Sequence, residues 1–126
     1  MQRLLNIYIG DSKEKGRGVF TSLPIKAGDV IEICPVVVIP KDEIELIDRT
    51  ALYDYYFLWE EGCAAMALGY GSLYNHSYSP NVEYIMDFED SVIIIKSLRD
   101  IASNEELTFN YNGDPFDKER IWFDPM

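Results

Sequence analysis

The chain is poor in cysteine, histidine and basic residues: two Cys, one His and 11 Lys plus Arg among 126 residues. Two widely separated cysteines, Cys34 and Cys63, cannot build a four-thiolate zinc site, and a lone His76 cannot anchor a protein-only metal site, so no metal is expected. One disulfide is possible, but both cysteines lie in apolar surroundings where a buried free thiol is commoner, which points to a reducing compartment. No apolar run reaches the 18 or so residues of a membrane span, and MQRLLNIYIG has neither a long apolar stretch nor a small-residue cleavage site. A cytosolic protein is expected, or a nuclear one by diffusion in a cell with a nucleus.

The shortage of base is matched by an excess of acid. Eleven Lys plus Arg against 22 Asp plus Glu give a net charge of −11. Direct nucleic-acid binding depends on cations that neutralise phosphates, and is not expected here. A basic, lysine-containing peptide is the electrostatically favoured partner, although solubility is the plainer reading of the charge. What is abundant is apolar and aromatic: 48% hydrophobic residues, with nine Tyr, six Phe and two Trp, enough for one globular core.

There are no repeats or low-complexity linkers, and a single domain over residues 1–126 is expected. Short β-type runs dominate: Leu4–Ile9, Asp29–Ile39, Val82–Met86, Ser91–Leu98 and Glu106–Tyr111. Pro35 predicts a break or an edge position within the second run. The continuous apolar run SVIIIKSL predicts a strand buried on both faces. Turn signals stand between the runs, at Lys26–Asp29, Ser79–Asn81, Asp100–Asn104 and Asn112–Pro115. One helix is predicted over Lys41–Arg49, with acids in its first turn and Arg49 near its end. Ala51–Trp59 reads as a strand or a short aromatic helix.

Three segments carry candidate chemistry. Gly16-Arg17-Gly18 permits close backbone approach to a ligand, but taken alone an ordinary turn between two strands is the plainer reading. Asn75-His76 sits in GYGSLYNHSYSPN, where a satisfied structural histidine beside a Ser-Pro-Asn turn is the plain reading. In EELTFNY, alternating Leu107, Phe109 and Tyr111 describe a strand with one face in the core. Each alone is ordinary.

In this order and spacing, Gly-x-Gly, Asn-His-Ser-x-x-Pro-Asn and Glu-Leu-Thr-Phe-Asn-Tyr resemble the SET-domain family of protein lysine methyltransferases over Gly16 to Tyr111. AMALGYGSLYNHS is closest to the small viral and bacterial-type members. The resemblance implies a mostly β SET-domain fold of small curved sheets, with one or two short helices and a C-terminal pseudoknot whose halves are Asn75–Asn81 and Glu106–Tyr111. The core motifs would span 16–111 and the closing tail 112–126.

It also implies S-adenosylmethionine as cofactor, S-adenosylhomocysteine as product, and a lysine side chain in a basic or histone-like protein as substrate. Tyr111 matches the active-site tyrosine. Tyr55, or its neighbour Tyr56, and Phe109 would line the lysine channel. Gly16, Arg17, Gly18, Asn75 and His76 would contact the cofactor, Asn75 through its amide and His76 through its backbone toward the adenine. Phe116 and Trp122 in the tail would cover the cofactor, wall the channel or merely anchor the tail. Phe109 stands where the family carries Phe or Tyr, and lacking a hydroxyl it implies room for di- or trimethylation. No carboxylate is expected in the channel. Two departures stand out: the flanking cysteine-rich segments are absent, and Asn110 replaces a frequent Asp. The competing readings are a non-catalytic module that binds a basic peptide and an acidic mimic. A homodimer is compatible with either the enzyme or the module.

Overall fold

The computed structural model describes residues 2–13 and 15–111. Nine strands run through them: β1 (Ile7–Ser12), β2 (Gly16–Thr21), β3 (Val30–Ile39), β4 (Tyr56–Leu58), β5 (Ala64–Ala67), β6 (Asn75–His76), β7 (Val82–Asp87), β8 (Val92–Ser97) and β9 (Glu106–Phe109). They form a four-stranded sheet in the order β1-β2-β9-β6 and a five-stranded sheet in the order β4-β5-β3-β8-β7. Side chains from both sheets meet in one core, among them Val19, Ile31, Ile93, Ile95, Leu107 and Phe109.

β3 holds the larger sheet together because it changes partners partway along. Its first half pairs with β8 up to Pro35 opposite Val92, and its second half pairs with β5 from Val36 onward. Pro35, which has no N–H, falls at the changeover, while its carbonyl accepts from Leu68 N at 2.8 Å. The predicted break is thus a change of ladder within one strand. β3 also contains a bulge, a register shift between Val30 and Glu32 opposite β8. Strict alternation sends consecutive side chains to opposite faces; with the extra residue, both Ile31 and Glu32 are buried.

β8 alternates rather than burying both faces: Ile93, Ile95 and Ser97 are buried, whereas Val92, Ile94 and Lys96 are half-buried. The expected helix over Lys41–Arg49 shrinks to a 3-10 turn at Lys41–Glu43 and one α-helical turn, α1 (Ile44–Ile47). Neither piece buries a residue or has a side-chain N-cap, so no packing energy offsets the cost of helix nucleation. Ala51–Trp59 divides into a 3-10 turn at Ala51–Asp54 and the short strand β4. Cys34 and Cys63 are both free thiols.

Candidate active site

The glycine pair is not a turn. Gly16 opens β2 with φ of 82°, and Gly18 lies within the strand opposite Gly10. A Cβ on Gly18 would stand 2.3 Å from Glu106 Oε2 and 2.9 Å from Asn75 Nδ2, so this position is glycine because two polar side chains fill the space above it. Asn75 Nδ2 donates to Arg17 O at 2.9 Å and to Glu106 Oε2 at 2.8 Å, and Ser12 Oγ donates to Glu106 Oε1 at 2.9 Å. Both amide hydrogens of Asn75 therefore serve protein acceptors, and its Oδ1 is the atom left for a ligand.

β6 and β9 run parallel, with Asn75 opposite Thr108 and His76 opposite Phe109. Asn81 fastens this pairing from the side. It donates to Glu105 Oε2 at 2.9 Å and to Glu106 O at 2.8 Å, and it accepts from Thr108 N at 2.9 Å. The Ser-Pro-Asn turn is thus a structural clasp, which the local sequence did not reveal. His76 is buried, and its Nδ1 accepts the main-chain N–H of Tyr111 at 3.0 Å, which places the imidazole proton on Nε2. The His76 carbonyl accepts from Lys15 Nζ. An adenine amine reaching that carbonyl would share it with Lys15 through the second lone pair.

Tyr111, just past the end of β9, lines an aromatic cavity of about 580 Å³ together with Tyr55, Tyr56, Phe109 and the residues sequence reasoning missed: Tyr53, Phe57, Tyr74 and Tyr84. Tyr84 falls in no motif and Tyr74 sits inside one without being singled out; the folding of the 3-10 turn at Ala51–Asp54, β4, β7 and the segment before β6 brings the four together. Phe109 is almost fully buried, with ring centroids 5.3 Å from Tyr74, 4.9 Å from Tyr84 and 5.6 Å from Tyr111. Tyr111 donates its hydroxyl to Tyr74 O at 2.7 Å, and Tyr84 donates its own to Tyr111 O at 3.2 Å. Tyr56 turns its hydroxyl outward to Asp48 Oδ1 at 2.8 Å while its ring faces the cavity.

Burial keeps Tyr111 a neutral phenol, well above the ordinary tyrosine value; the neighbouring acidic groups of Tyr55, Asp54, Glu106 and Tyr84 push the same way. Burial alone moves Tyr84 up to about 12. Contrary to the expectation of a channel without carboxylates, Asp54 lines the cavity. It is exposed, so water and salt screen its charge. Phe116 and Trp122 lie outside the described residues. No group of three or more His, Cys, Asp or Glu among the described residues is arranged to hold a metal ion.

Tyr111 thus lines the aromatic cavity and is tied through His76 to the strand that carries Asn75, and comparison with known proteins gives the class. The family model described as "SET domain" matches residues 16–112. A fission-yeast (Schizosaccharomyces pombe) protein named histone-lysine N-methyltransferase, H3 lysine-37 specific, is 40% identical over 119 residues, 94% of this chain and 77% of the relative. A crystal structure of a Plasmodium falciparum protein assigned as a histone methyltransferase is 36% identical with a TM-score of 0.70, covering 88% of this chain and 95% of that one. The Chaetomium thermophilum polycomb repressive complex 2, at 23% identity and a TM-score of 0.73 over 94% of this chain and 16% of its own, shares the fold. The chain belongs to the SET-domain family and is a protein-lysine N-methyltransferase.

Proposed function

We propose that the protein transfers methyl groups from S-adenosylmethionine to a lysine amine in a basic, histone-like protein, and carries the product to the di- or trimethyl state. The observation that supports this most is the position of Tyr111. It lines the aromatic cavity, and its backbone is tied through His76 to the strand that carries Asn75. The name of the fission-yeast relative makes a peptide around histone H3 lysine 37 the first substrate to try.

The residues present suit a cationic cofactor. The cluster beside Gly18 is rich in acceptors, with the Arg17 carbonyl, the Glu106 carboxylate and Asn75 Oδ1, and a Cβ on Gly16 would meet nothing within 4 Å. Gly16, Arg17 and Gly18 would hold the cofactor through their backbone, with Asn75 and His76 beside them. When bound, S-adenosylmethionine supplies a methyl group on a positively charged sulfur, open to in-line displacement.

The rest is the work of this chain. A lysine attacks only as the free amine, and its ordinary pKa of about 10.4 has to fall. A cavity walled by Phe109, Tyr55, Tyr84 and Tyr111 lowers it by desolvating the ammonium. Asp54 opposes that shift, but an exposed carboxylate acts weakly over distance, so its contribution is to attract the cationic side chain to the mouth. Tyr111 is too weak an acid to work as a phenolate base. With its proton committed to Tyr74 O, its oxygen presents only lone pairs, which accept an amine N–H and orient the nitrogen. Alignment of amine and methyl is the main source of rate, since a well-oriented pair gains about 7–11 kcal/mol over a free encounter. Phe109 adds no hydroxyl to crowd a methylated amine.

The test is transfer of labelled methyl from S-adenosylmethionine to a panel of histone peptides and polylysine, with mass spectrometry of the products. Lysine-dependent incorporation with di- and trimethyl products is expected. Cofactor binding without incorporation into any basic substrate would contradict the proposal.

A further inference from the structure

Glu32 is a buried carboxylate, 2% exposed, that the reaction does not touch directly. The bulge in β3 turns it inward, and the chain makes room for it: Gly69 has φ of 66°, and a Cβ there would lie 2.4 Å from Glu32 Oε2. Its oxygens are well served. Oε1 accepts the Tyr74 hydroxyl at 2.8 Å, and Oε2 accepts Tyr70 N at 2.8 Å. Arg3, from the segment before β1, approaches Oε2 at 3.5 Å while its guanidinium lies 3.9 Å above the Tyr70 ring. Burying a carboxylate is costly, and a neutral acceptor would satisfy one tyrosine hydroxyl equally well.

What the charge achieves becomes clear at the other end of Tyr74. This residue is 1% exposed and is gripped at both ends, its hydroxyl by Glu32 and its carbonyl oxygen by the Tyr111 hydroxyl at 2.7 Å. Its ring is stacked on Phe109 at 5.3 Å. A charge-assisted hydrogen bond is roughly twice as strong as a neutral one. It therefore anchors the one side chain whose backbone sets where the Tyr111 oxygen stands. We infer that Glu32, with Arg3 as its countercharge, is a positioning residue for Tyr111, acting through Tyr74.

This rests on Tyr111 being the active-site tyrosine, and the test separates the two. Glu32→Gln and Tyr74→Phe are each made in the full chain, alone and in a Tyr111→Phe background, and methyl transfer is followed under single-turnover and steady-state conditions. With Tyr111 present, either change is expected to lower kcat by about tenfold or more, with the KM values for peptide and cofactor within about twofold of wild type. In the Tyr111→Phe background the same changes are expected to have no further effect, because no hydroxyl remains to be placed. Tyr74→Phe keeps the buried ring and loses one oxygen, so it carries the test where Glu32→Gln fails to fold. Equal losses in both backgrounds, or undiminished kcat in the single variants, would overturn the inference alone. Wild-type turnover by Tyr111→Phe itself would overturn the proposed function with it.

Discussion

The hydroxyl of Tyr111 donates to the main-chain carbonyl of Tyr74 across 2.7 Å, linking the end of β9 to the residue that leads into β6. The contact joins two segments 37 positions apart in sequence and fixes the polarity of the phenol. A proton committed to a carbonyl leaves an oxygen that can only accept. Combined with a pKa raised by burial, this suits Tyr111 to the proposed role of orienting an amine.

In the proposed mechanism Phe109, whose ring centroid is 5.6 Å from that of Tyr111, sets the room beside that oxygen. Phe109→Tyr is expected to shift the products toward monomethyl-lysine, read by the intact mass of a reacted peptide. Adding a hydroxyl to a ring packed against Tyr74, Tyr84 and Tyr111 should also destabilise the fold by about 1–3 kcal/mol. A variant that still trimethylates with wild-type progress would remove Phe109 from this role.

Gly18 and Gly16 make different demands. Gly18→Ala places a methyl 2.3 Å from Glu106 Oε2, and the displaced Asn75–Glu106 pair should cost about 1–3 kcal/mol and weaken S-adenosylhomocysteine binding measured by calorimetry. Gly16→Ala meets no neighbour within 4 Å and carries only the strain of its positive φ, about 1 kcal/mol. Equal losses of cofactor affinity in the two would contradict the role given to the cluster.

Asn81→Ala removes three hydrogen bonds to the β9 segment and leaves the Thr108 N–H without its acceptor. Denaturant unfolding should show a loss of about 3 kcal/mol, mostly from the stranded donor. A loss within experimental error would mean that the clasp is dispensable.

Alkaline pH should unfold the protein in a defined window. Burial raises Tyr84 from 10.0 to about 12, so the folded state holds the phenolic proton more tightly than the unfolded state. That stabilisation is complete below the ordinary value near 10 and is lost as pH rises toward 12. Tyr111, raised by burial in the same direction, adds to the loss. Tyr84→Phe should flatten the fall, as followed by thermal melts and ultraviolet phenolate absorbance across that range. A Tyr84 phenolate signal at the ordinary value would contradict its burial.

The motif residues were legible in the sequence because their chemistry is local. Glycines that leave room for a neighbour, an Asn-His pair in a short strand and the Leu107, Phe109, Tyr111 alternation along and just past β9 all leave marks at short range. Glu32 was not legible: its burial depends on a bulge that breaks alternation, and its acidic type suggests a solvated edge. Tyr74 and Tyr84 reach the cavity by folding alone. The predicted helix over Lys41–Arg49 had suitable charges at its ends, but its Ile44 and Ile47 become only half-buried, and charge at the ends cannot replace burial. Asp54 stands inside the aromatic run that pointed to the channel, yet its place in the lining became apparent only from the path of the backbone into β4.

The most direct measurement is single-turnover transfer of labelled methyl from S-adenosylmethionine to a histone H3 lysine-37 peptide by wild type and by Tyr111→Phe, paired with calorimetric binding of S-adenosylhomocysteine to both. The account predicts a fall in rate of about 100-fold or more in the variant, the loss expected from removing a positioned polar group at the reacting atoms. Cofactor affinity should remain within about twofold of wild type, since the substitution keeps both the Tyr111 N–H bond to His76 Nδ1 and the ring that packs edge-on against His76. Wild-type turnover by Tyr111→Phe would contradict the account.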